Sequence, residues 1–209
     1  MIKLEALSIS ELAAVICQNL KNEGLQTTLS GGACAEIYSN AKYVTGDLDF
    51  VVNYLWPEND KKIGKVMSAL GFKKTGRMYM SESIQYSVEF PPGPLSIGEE
   101  YQIIPVELKL KNGTLVLLSP TDSAKDRLTG YFYGNDAQCL EQAVLICQMN
   151  DVDGNEIRRW AKIENRPDKF SEFEKRISKL KKRNACGKPA QGKRQRAATK
   201  CKNKKEQVD

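Results

Sequence analysis

Residues 25–52, LQTTLSGGACAEIYSNAKYVTGDLDFVV, carry the pattern that decides the fold. Leu25–Ser30 has the alternation of a short strand, and Gly31-Gly32 follows it at the entry to a helical stretch, Ala33–Ser39. Glycines at such a junction let the backbone approach a phosphate, and the start of the helix offers unpaired N–H groups. The same pair is also typical of a tight turn that binds nothing. The glycines therefore indicate a binding site only in combination with other residues.

Asp47-Leu48-Asp49, at the start of the next predicted strand, adds two carboxylates to this pattern. Residues i and i+2 of a strand point to the same face, so both Asp side chains project together while Leu48 and Phe50 face the core. Two like charges about 7 Å apart on an apolar strand reduce stability. A Mg²⁺ ion, typically held by one or two carboxylates and substrate phosphates, would offset that repulsion. Many Asp-x-Asp pairs only end a strand at the solvent, but a preceding glycine pair makes the arrangement more selective.

Glu89 is the candidate third carboxylate. It lies in Ser87–Phe90, where the flanking apolar residues are expected to face the core, and a proline-rich turn follows at once. A strand running beside Asp47–Asp49 would place Glu89 at the same rim. Three converging acidic side chains suit two-metal nucleotidyl transfer, which requires no histidine. Glu107 is the alternative third carboxylate by the same alternation. Lys109 and Lys111 follow it on its own face, however, and indicate a solvated strand face of mixed charge.

The two runs Leu29–Gly32 and Thr45–Phe50 together resemble the signature of the polymerase-β-type nucleotidyltransferase superfamily. Within it, the chain is similar to small bacterial nucleotidyltransferase-like proteins, some of which belong to toxin–antitoxin or abortive-infection pairs. The similarity covers about residues 25–175. Further matching stretches are Gly71–Lys74, Val88–Leu95, Leu118–Asp122 and Lys125–Arg127.

The resemblance implies an α/β (α+β) fold in which helices flank a mixed sheet. It also implies an NTP donor and two Mg²⁺ ions, with Mn²⁺ as an alternative. Asp47 and Asp49 would bind both metal ions, and Glu89 would bind the catalytic ion and help to deprotonate the acceptor. A Glu stands where the family more often has a third Asp, which leaves a non-catalytic binding protein open. The residues implied to hold the nucleotide are Ser30, Gly31, Gly32 and Lys125. Lys125 could equally be an ordinary surface lysine.

The sequence is compatible with three functions. The first is an enzyme that moves an NMP from an NTP to a hydroxyl acceptor, which could be RNA or a tRNA end, a protein side chain or a small molecule. The second is a catalytically inactive nucleotide- or partner-binding protein of the antitoxin type, with a cognate toxin or antitoxin as its partner. The third is a nucleic-acid-binding module whose C-terminal tail is the functional part.

The C-terminal segment is strongly basic. Residues 179–205 contain 12 Lys or Arg and no Asp or Glu, whereas the rest of the chain is slightly acidic. The segment lacks apolar periodicity, so we expect it to be disordered beyond about Arg183. Such a tail either contacts nucleic acid or is a solvated terminus. The residues expected to meet nucleic acid are Lys181, Lys182, Arg183, Lys193, Arg194 and Arg196.

Composition excludes several classes of function. The chain of 209 residues contains no His, which rules out Ser-His-Asp and Cys-His triads and His-ligated zinc. The six Cys form no Cys-x-x-Cys pair, so we expect reduced and mostly buried thiols. No apolar run reaches the length of about 20 residues that spans a bilayer, and the N-terminal stretch carries acids where a signal peptide is apolar. We therefore expect a cytoplasmic protein with no membrane partner.

The pattern along the chain predicts three parts. Residues 1–117 are expected to form a core of helices and strands, residues 118–178 a helical part, and residues 179–209 the disordered basic tail. The resemblance implies that the core is the nucleotidyltransferase-like catalytic part. A capping box at Ser8–Glu11 opens the first helix, and Asn112-Gly113 is a typical two-residue hairpin turn. In the helical part, we expect helices over about 120–132, 136–149, 153–163 and 168–182.

Overall fold

The computed structural model describes residues 3–52 and 57–186, with side chains in the last helix up to residue 180. Within these ranges, a short 3₁₀ helix, Leu4–Ala6, precedes seven α-helices and seven strands. The helices are α1 (Ile9–Asn22), α2 (Gly31–Tyr38), α3 (Pro57–Ala69), α4 (Pro120–Gly134), α5 (Ala137–Met149), α6 (Gly154–Ile163) and α7 (Pro167–Cys186). The strands are β1 (Thr27–Ser30), β2 (Asp47–Val52), β3 (Lys73–Thr75), β4 (Met78–Met80), β5 (Ser87–Glu89), β6 (Val106–Leu110) and β7 (Gly113–Leu117).

The seven strands form one mixed sheet in the order β3-β4-β5-β2-β1-β7-β6. β2 lies in its centre, antiparallel to β1 and parallel to β5, and β1 in turn runs parallel to β7. The predicted fold class, a mixed sheet flanked by helices and followed by a helical part, is confirmed. No helix in the described ranges is both long enough and apolar enough to cross a membrane.

The core lies on one face of the sheet. Along β2, Leu48, Phe50 and Val52 are buried while the alternate residues are half-buried. α1 covers the same face: its capping box, formed by Ser8 and Glu11, starts the helix as predicted. α1 approaches β7 so closely that a side chain at Gly113 would contact the carbonyl oxygen of Ala14. The opposite face of β2 carries Asp47 and Asp49.

The helical part packs on the sheet domain through a shared core. Ser119 caps α4 by accepting a hydrogen bond from the Asp122 N–H, at 3.1 Å, and Pro120 occupies the first turn. In α6, the buried Trp160 stacks on Phe132 of α4, with ring centroids 5.4 Å apart. One continuous cluster of buried apolar residues includes both halves of the chain. The division at residue 117 stays a prediction, although β7 does end there.

Several boundaries differ from the sequence predictions. α2 begins at Gly31, before the predicted start at Ala33, so the glycine pair belongs to the helix itself. The turn between β6 and β7 consists of residues 111 and 112, and Gly113 already belongs to β7. The three-residue strand β3 was not predicted, because its exposed Lys-Lys-Thr sequence carries no apolar alternation.

The last helix also extends further than predicted. α7 continues to Cys186, so Lys181, Lys182 and Arg183 lie in a helix and not at the start of a disordered segment. Lys193, Arg194 and Arg196 lie outside the described residues. The predicted disorder and nucleic-acid contacts of the tail stay predictions. Of the described cysteines, Cys17, Cys34 and Cys139 are buried thiols, as expected.

Candidate active site

The register of the central strands brings the predicted acidic residues together. Asp49 of β2 lies opposite Glu89 of β5 in the parallel pair and opposite Ser30 of β1 in the antiparallel pair. Asp47 pairs with Ser87, two residues before Glu89. Residues opposite each other share a face of the sheet, so Asp47, Asp49 and Glu89 lie on the face that α1 does not cover.

The Asp47 side chain is oriented by a hydrogen bond from Thr45, which is itself fixed by Glu36. The Thr45 hydroxyl donates to Oδ1 of Asp47 at 2.6 Å. Thr45 is in turn fixed by Glu36 of α2, whose buried carboxylate accepts the Thr45 N–H at 2.7 Å and the Tyr86 hydroxyl at 3.2 Å. Glu36 therefore connects the segments that lead into β2 and β5, the two strands that carry the acidic residues. This connection was not predicted, because it joins three distant parts of the chain.

Gly31 and Gly32 allow α2 to start directly against the acidic residues. Gly31 has a φ of +71°, and a Cβ there would collide with Oδ2 of Asp49. A Cβ at Gly32 would lie 2.8 Å from the Thr45 hydroxyl oxygen. Ser30 provides no side-chain cap for α2, and its hydroxyl donates to the Asp49 carbonyl at 3.4 Å. The glycine pair is thus required by packing at the place where the sequence predicted a phosphate-binding turn.

An Asp–Arg pair from α4 completes the surroundings of Gly31. The Gly31 N–H donates to Oδ2 of Asp126 at 3.3 Å, and the Arg127 guanidinium donates to the same oxygen through Nε at 3.1 Å and Nη2 at 2.6 Å. A carboxylate therefore occupies the first N–H at the start of α2, the kind of position that favours anions. Asp126 and Arg127 thus form an ion pair at the start of α2.

Negative charge is concentrated at Asp49. Burial and the nearby carboxylates of Asp47 and Glu89 raise the pKa of Asp49 to about 6, while the Arg127 guanidinium acts in the opposite direction. Burial is the largest cause of the raised pKa, and repulsion from the neighbouring carboxylates adds to it. A bound cation would reduce this repulsion, so the electrostatics suit a metal that is held together with a substrate.

The oxygen donors of Asp47, Asp49 and Glu89 fit Mg²⁺ or Mn²⁺ in kind. Among the described residues, however, no group of three acidic or thiol side chains is arranged closely enough to hold a metal ion by itself. Mg²⁺ often takes only one or two protein carboxylates and completes its shell with substrate phosphates and water. The donor set is therefore compatible with an ion that arrives with a nucleotide.

Lys125, a predicted nucleotide-binding residue, lies away from Asp49. Its side chain is 2% exposed, and its ammonium group pairs with Glu100 at 2.6 Å, Asp122 at 2.9 Å and Glu156 at 3.1 Å. Successive helical residues point about 100° apart, so Lys125 is turned away from Gly31 when Asp126 faces it. The structure places Lys125 in a separate ion-pair cluster and not beside Asp49. A contact with nucleotide phosphates stays a prediction.

Glu107 is too far from Asp49 to serve as the third carboxylate. It is exposed on β6 and lies on the same face of the sheet as Asp49, but β1 and β7 separate β6 from β2. Three strand spacings correspond to about 14 Å. The position agrees with the prediction that Glu107 belongs to a solvated face.

Comparisons with known proteins support the fold. No family model matches the chain, and no curated protein matches it in sequence. One similar solved structure is an antigenic nucleotidyltransferase-like protein from Paracoccidioides brasiliensis, with 14% identity and a TM-score of 0.52 over 79% of this chain and 92% of that one. Another is ANT(2″)-Ia in complex with adenylyl-2″-tobramycin, with 11% identity and a TM-score of 0.50 over 79% of this chain and 98% of that one. At such identities the likeness shows the fold alone, which is nucleotidyltransferase-like.

Proposed function

We propose that this protein transfers an NMP group from an NTP to a hydroxyl acceptor, with pyrophosphate as the leaving group, at the face formed by Asp47, Asp49 and Glu89. The observation that carries the proposal is the strand register, which sets Glu89 of β5 directly beside Asp49 of β2. The same register brings the start of α2 against Asp49. Phosphate-binding N–H groups and metal-binding carboxylates would thus act on one substrate.

The three acidic residues would have separate roles in the transfer. Asp47 and Asp49 would hold the metal ions, and Glu89 would hold the catalytic ion and accept the proton of the attacking hydroxyl. Mg²⁺, when bound, supplies charge neutralisation on the triphosphate and a lower pKa for that hydroxyl. Thr45 orients Asp47 through its 2.6 Å hydrogen bond, so Asp47 needs little rearrangement on binding.

Nucleotide binding would require one exchange of partners at α2. Asp126 now accepts the Gly31 N–H, and a phosphate oxygen would have to take over that hydrogen bond. The Arg127 guanidinium, which pairs with Asp126, lies beside this position and is suited to bind the incoming phosphate. Arg127 is thus a better candidate than Lys125 for the cation that contacts the triphosphate, because three carboxylates already surround Lys125.

The acceptor belongs to the proposal too. ANT(2″)-Ia, which shares the fold, was solved with an adenylyl group on tobramycin, and this favours ATP as the first donor to test and a small molecule as one acceptor class. The basic C-terminal segment favours RNA, including tRNA, as another class. A place in a toxin–antitoxin pair, with a cognate protein as partner, and a cytoplasmic location complete the hypothesis.

A second candidate function is nucleotide or partner binding without catalysis. Two observations favour it: Asp126 already occupies the first N–H of α2, and the described residues form no three-acid metal site. Such a protein would bind an NTP or a protein partner and release no pyrophosphate.

One experiment separates these two functions. The full-length protein is incubated with each α-³²P-labelled NTP, Mg²⁺, and either total RNA or a cell lysate, and the label is followed into RNA, protein and small molecules. We expect incorporation with the wild type, none with Asp49→Asn, and an undiminished signal with the control Glu107→Gln. Nucleotide binding measured by calorimetry, without incorporation from any NTP, would replace the transferase by the binding protein.

A further inference from the structure

The sheet ends at β6 with an unpaired edge. Within residues 3–52 and 57–186, β6 pairs only with β7, so its other side presents backbone N–H and C=O groups without a strand partner. The edge is also apolar. Four of the large hydrophobic residues that are exposed in the described chain lie in or just before this strand: Tyr101 (63% exposed), Ile104 (82%), Val106 (38%) and Leu108 (37%).

The two faces of β6 differ in chemistry. Val106 and Leu108 lie opposite Leu117 and Leu115, which are buried on the α1 side of the sheet. Glu107 and Lys109 therefore point to the opposite face, where both are exposed. Neither Glu107 nor Lys109 forms an ion pair with any described residue.

The other end of the sheet is protected in a way that β6 is not. At β3, Lys73 pairs with Glu82 at 3.1 Å and Lys74 pairs with Asp60 at 2.8 Å. Both lysines thus have an ion partner within the chain, and the strand is short and has no exposed large hydrophobic residue. Short charged strands of this kind discourage pairing with another chain. At β6, by contrast, the charges lack a partner and the apolar residues lack cover.

The sequence of β6 is complementary to itself. If two copies pair antiparallel about a two-fold axis at Leu108, Glu107 of each copy lies opposite Lys109 of the other. Val106 then meets Leu110, and the two Leu108 side chains meet at the axis. The neighbouring registers that keep the apolar residues on one face would set Glu107 against Glu107, or Lys109 against Lys109. Like charges directly opposite are unfavourable, so charge selects one register.

We propose that β6 is the dimer interface of this protein, and that a second copy of the chain adds its own β6 antiparallel with Glu107 opposite Lys109. Pro105, just before β6, lacks an N–H and ends the ladder on one side, and the β6–β7 turn ends it on the other. The two sheets then become one continuous sheet of two times seven strands. Asp49 then lies on the same side of this sheet in both copies, and the two β2 strands are about 34 Å apart over seven strand spacings.

The proposal does not depend on catalysis, because β6 lies three strands from β2. It is tested with the full-length chain by sedimentation velocity over a range of concentrations at fixed salt. The variants are Glu107→Lys, Lys109→Glu and the double exchange of both. Lys62→Glu on α3, exposed and without an ion pair among the described residues, is the control for the charge change in Lys109→Glu. Circular dichroism of each variant checks that it is folded.

We expect a concentration-dependent dimer for the wild type and for Lys62→Glu. Each single exchange at β6 changes two symmetry-related pairs from opposite to like charge, and should raise the dissociation constant of the dimer by about tenfold or more. The double exchange restores both pairs and should return the constant close to the wild-type value. A wild type that stays monomeric at every concentration would overturn the proposal and leave the edge to a different protein. Single variants that dimerise like the wild type, or a double variant as weak as the singles, would also overturn it.

Discussion

Replacement of Gly31 by Ala tests whether the glycine pair exists to let α2 start against Asp49. Two features of the structure oppose the change. The φ of Gly31 is +71°, a region that L residues rarely adopt, and the new Cβ would collide with Oδ2 of Asp49. The Asp49 side chain would have to turn away from Gly31, while the hydrogen bond from the Gly31 N–H to Asp126 would be disturbed.

The two contributions can be separated in magnitude. An L residue in the left-handed region is destabilised by about 1–2 kcal/mol, and forcing an extra methyl group into a packed site adds about 1–3 kcal/mol. We therefore expect Gly31→Ala to lower the free energy of unfolding by about 2–5 kcal/mol. Gly24 is the matched control, because its φ is +78° and a Cβ there would meet no atom within 4 Å. Gly24→Ala should therefore be destabilised only by the left-handed backbone conformation, by about 1–2 kcal/mol.

The assay is urea unfolding followed by circular dichroism, applied to both single variants, to Asp49→Ala and to the double variant Gly31→Ala/Asp49→Ala. Without the Asp49 carboxylate the methyl group has room, so in that background Gly31→Ala should be no more destabilising than Gly24→Ala. The coupling energy of the cycle should thus be about 1–3 kcal/mol. A Gly31→Ala effect equal to that of Gly24→Ala in the wild type would refute the close approach, as would a coupling energy near zero.

Three further predictions concern the ion-pair cluster, the third carboxylate and the tail. Lys125→Met should lower the free energy of unfolding by about 3 kcal/mol, as measured by thermal and urea unfolding. This value is near the lower end for a broken buried ion pair, because the three carboxylates that lose their partner are each 17–30% exposed. Glu89→Gln should reduce the rate of NMP transfer by orders of magnitude while Glu107→Gln leaves it unchanged, and the opposite ranking would move the site along the sheet. A chain that ends at Cys186 should keep its activity toward a small acceptor but bind RNA more weakly at low salt, with a loss that shrinks as salt rises; equal RNA binding by both chains would make the tail a solvated terminus.

Local patterns in the sequence were sufficient to predict the central strands of the sheet. The alternation of Asp47, Leu48 and Asp49 defines which side of β2 is buried, and the strand starts at Asp47 as predicted. Glu89 could be placed beside β2 because a short strand with a buried Val88 was expected to join the same sheet. The helices of residues 118–178 could also be predicted from the pattern along the chain, and Ser119 caps the first of them.

Contacts between distant parts of the chain could not be predicted in this way. Gly31 and Asp126 are hydrogen-bonded across 95 residues of sequence, and no local pattern indicates which residue of α4 faces α2. The burial of Lys125 has the same origin, because its partners Glu100 and Glu156 come from a loop and from another helix. A lysine near a helix cap is usually exposed, and only tertiary packing makes this one an exception.

We propose that Asp47, Asp49 and Glu89 form a site for nucleotidyl transfer, and the release of pyrophosphate is a direct measure of that reaction. The assay follows pyrophosphate from each NTP as Mg²⁺ is titrated, with the acceptor fraction present, for the wild type, Asp47→Asn and Asp49→Asn. Both variants should be folded and at least as stable as the wild type, since each removes one of several repelling charges. We expect Mg²⁺-dependent release by the wild type and none by either variant. Release at a near-normal rate by a folded Asp49→Asn variant would show that the transfer does not take place at these carboxylates.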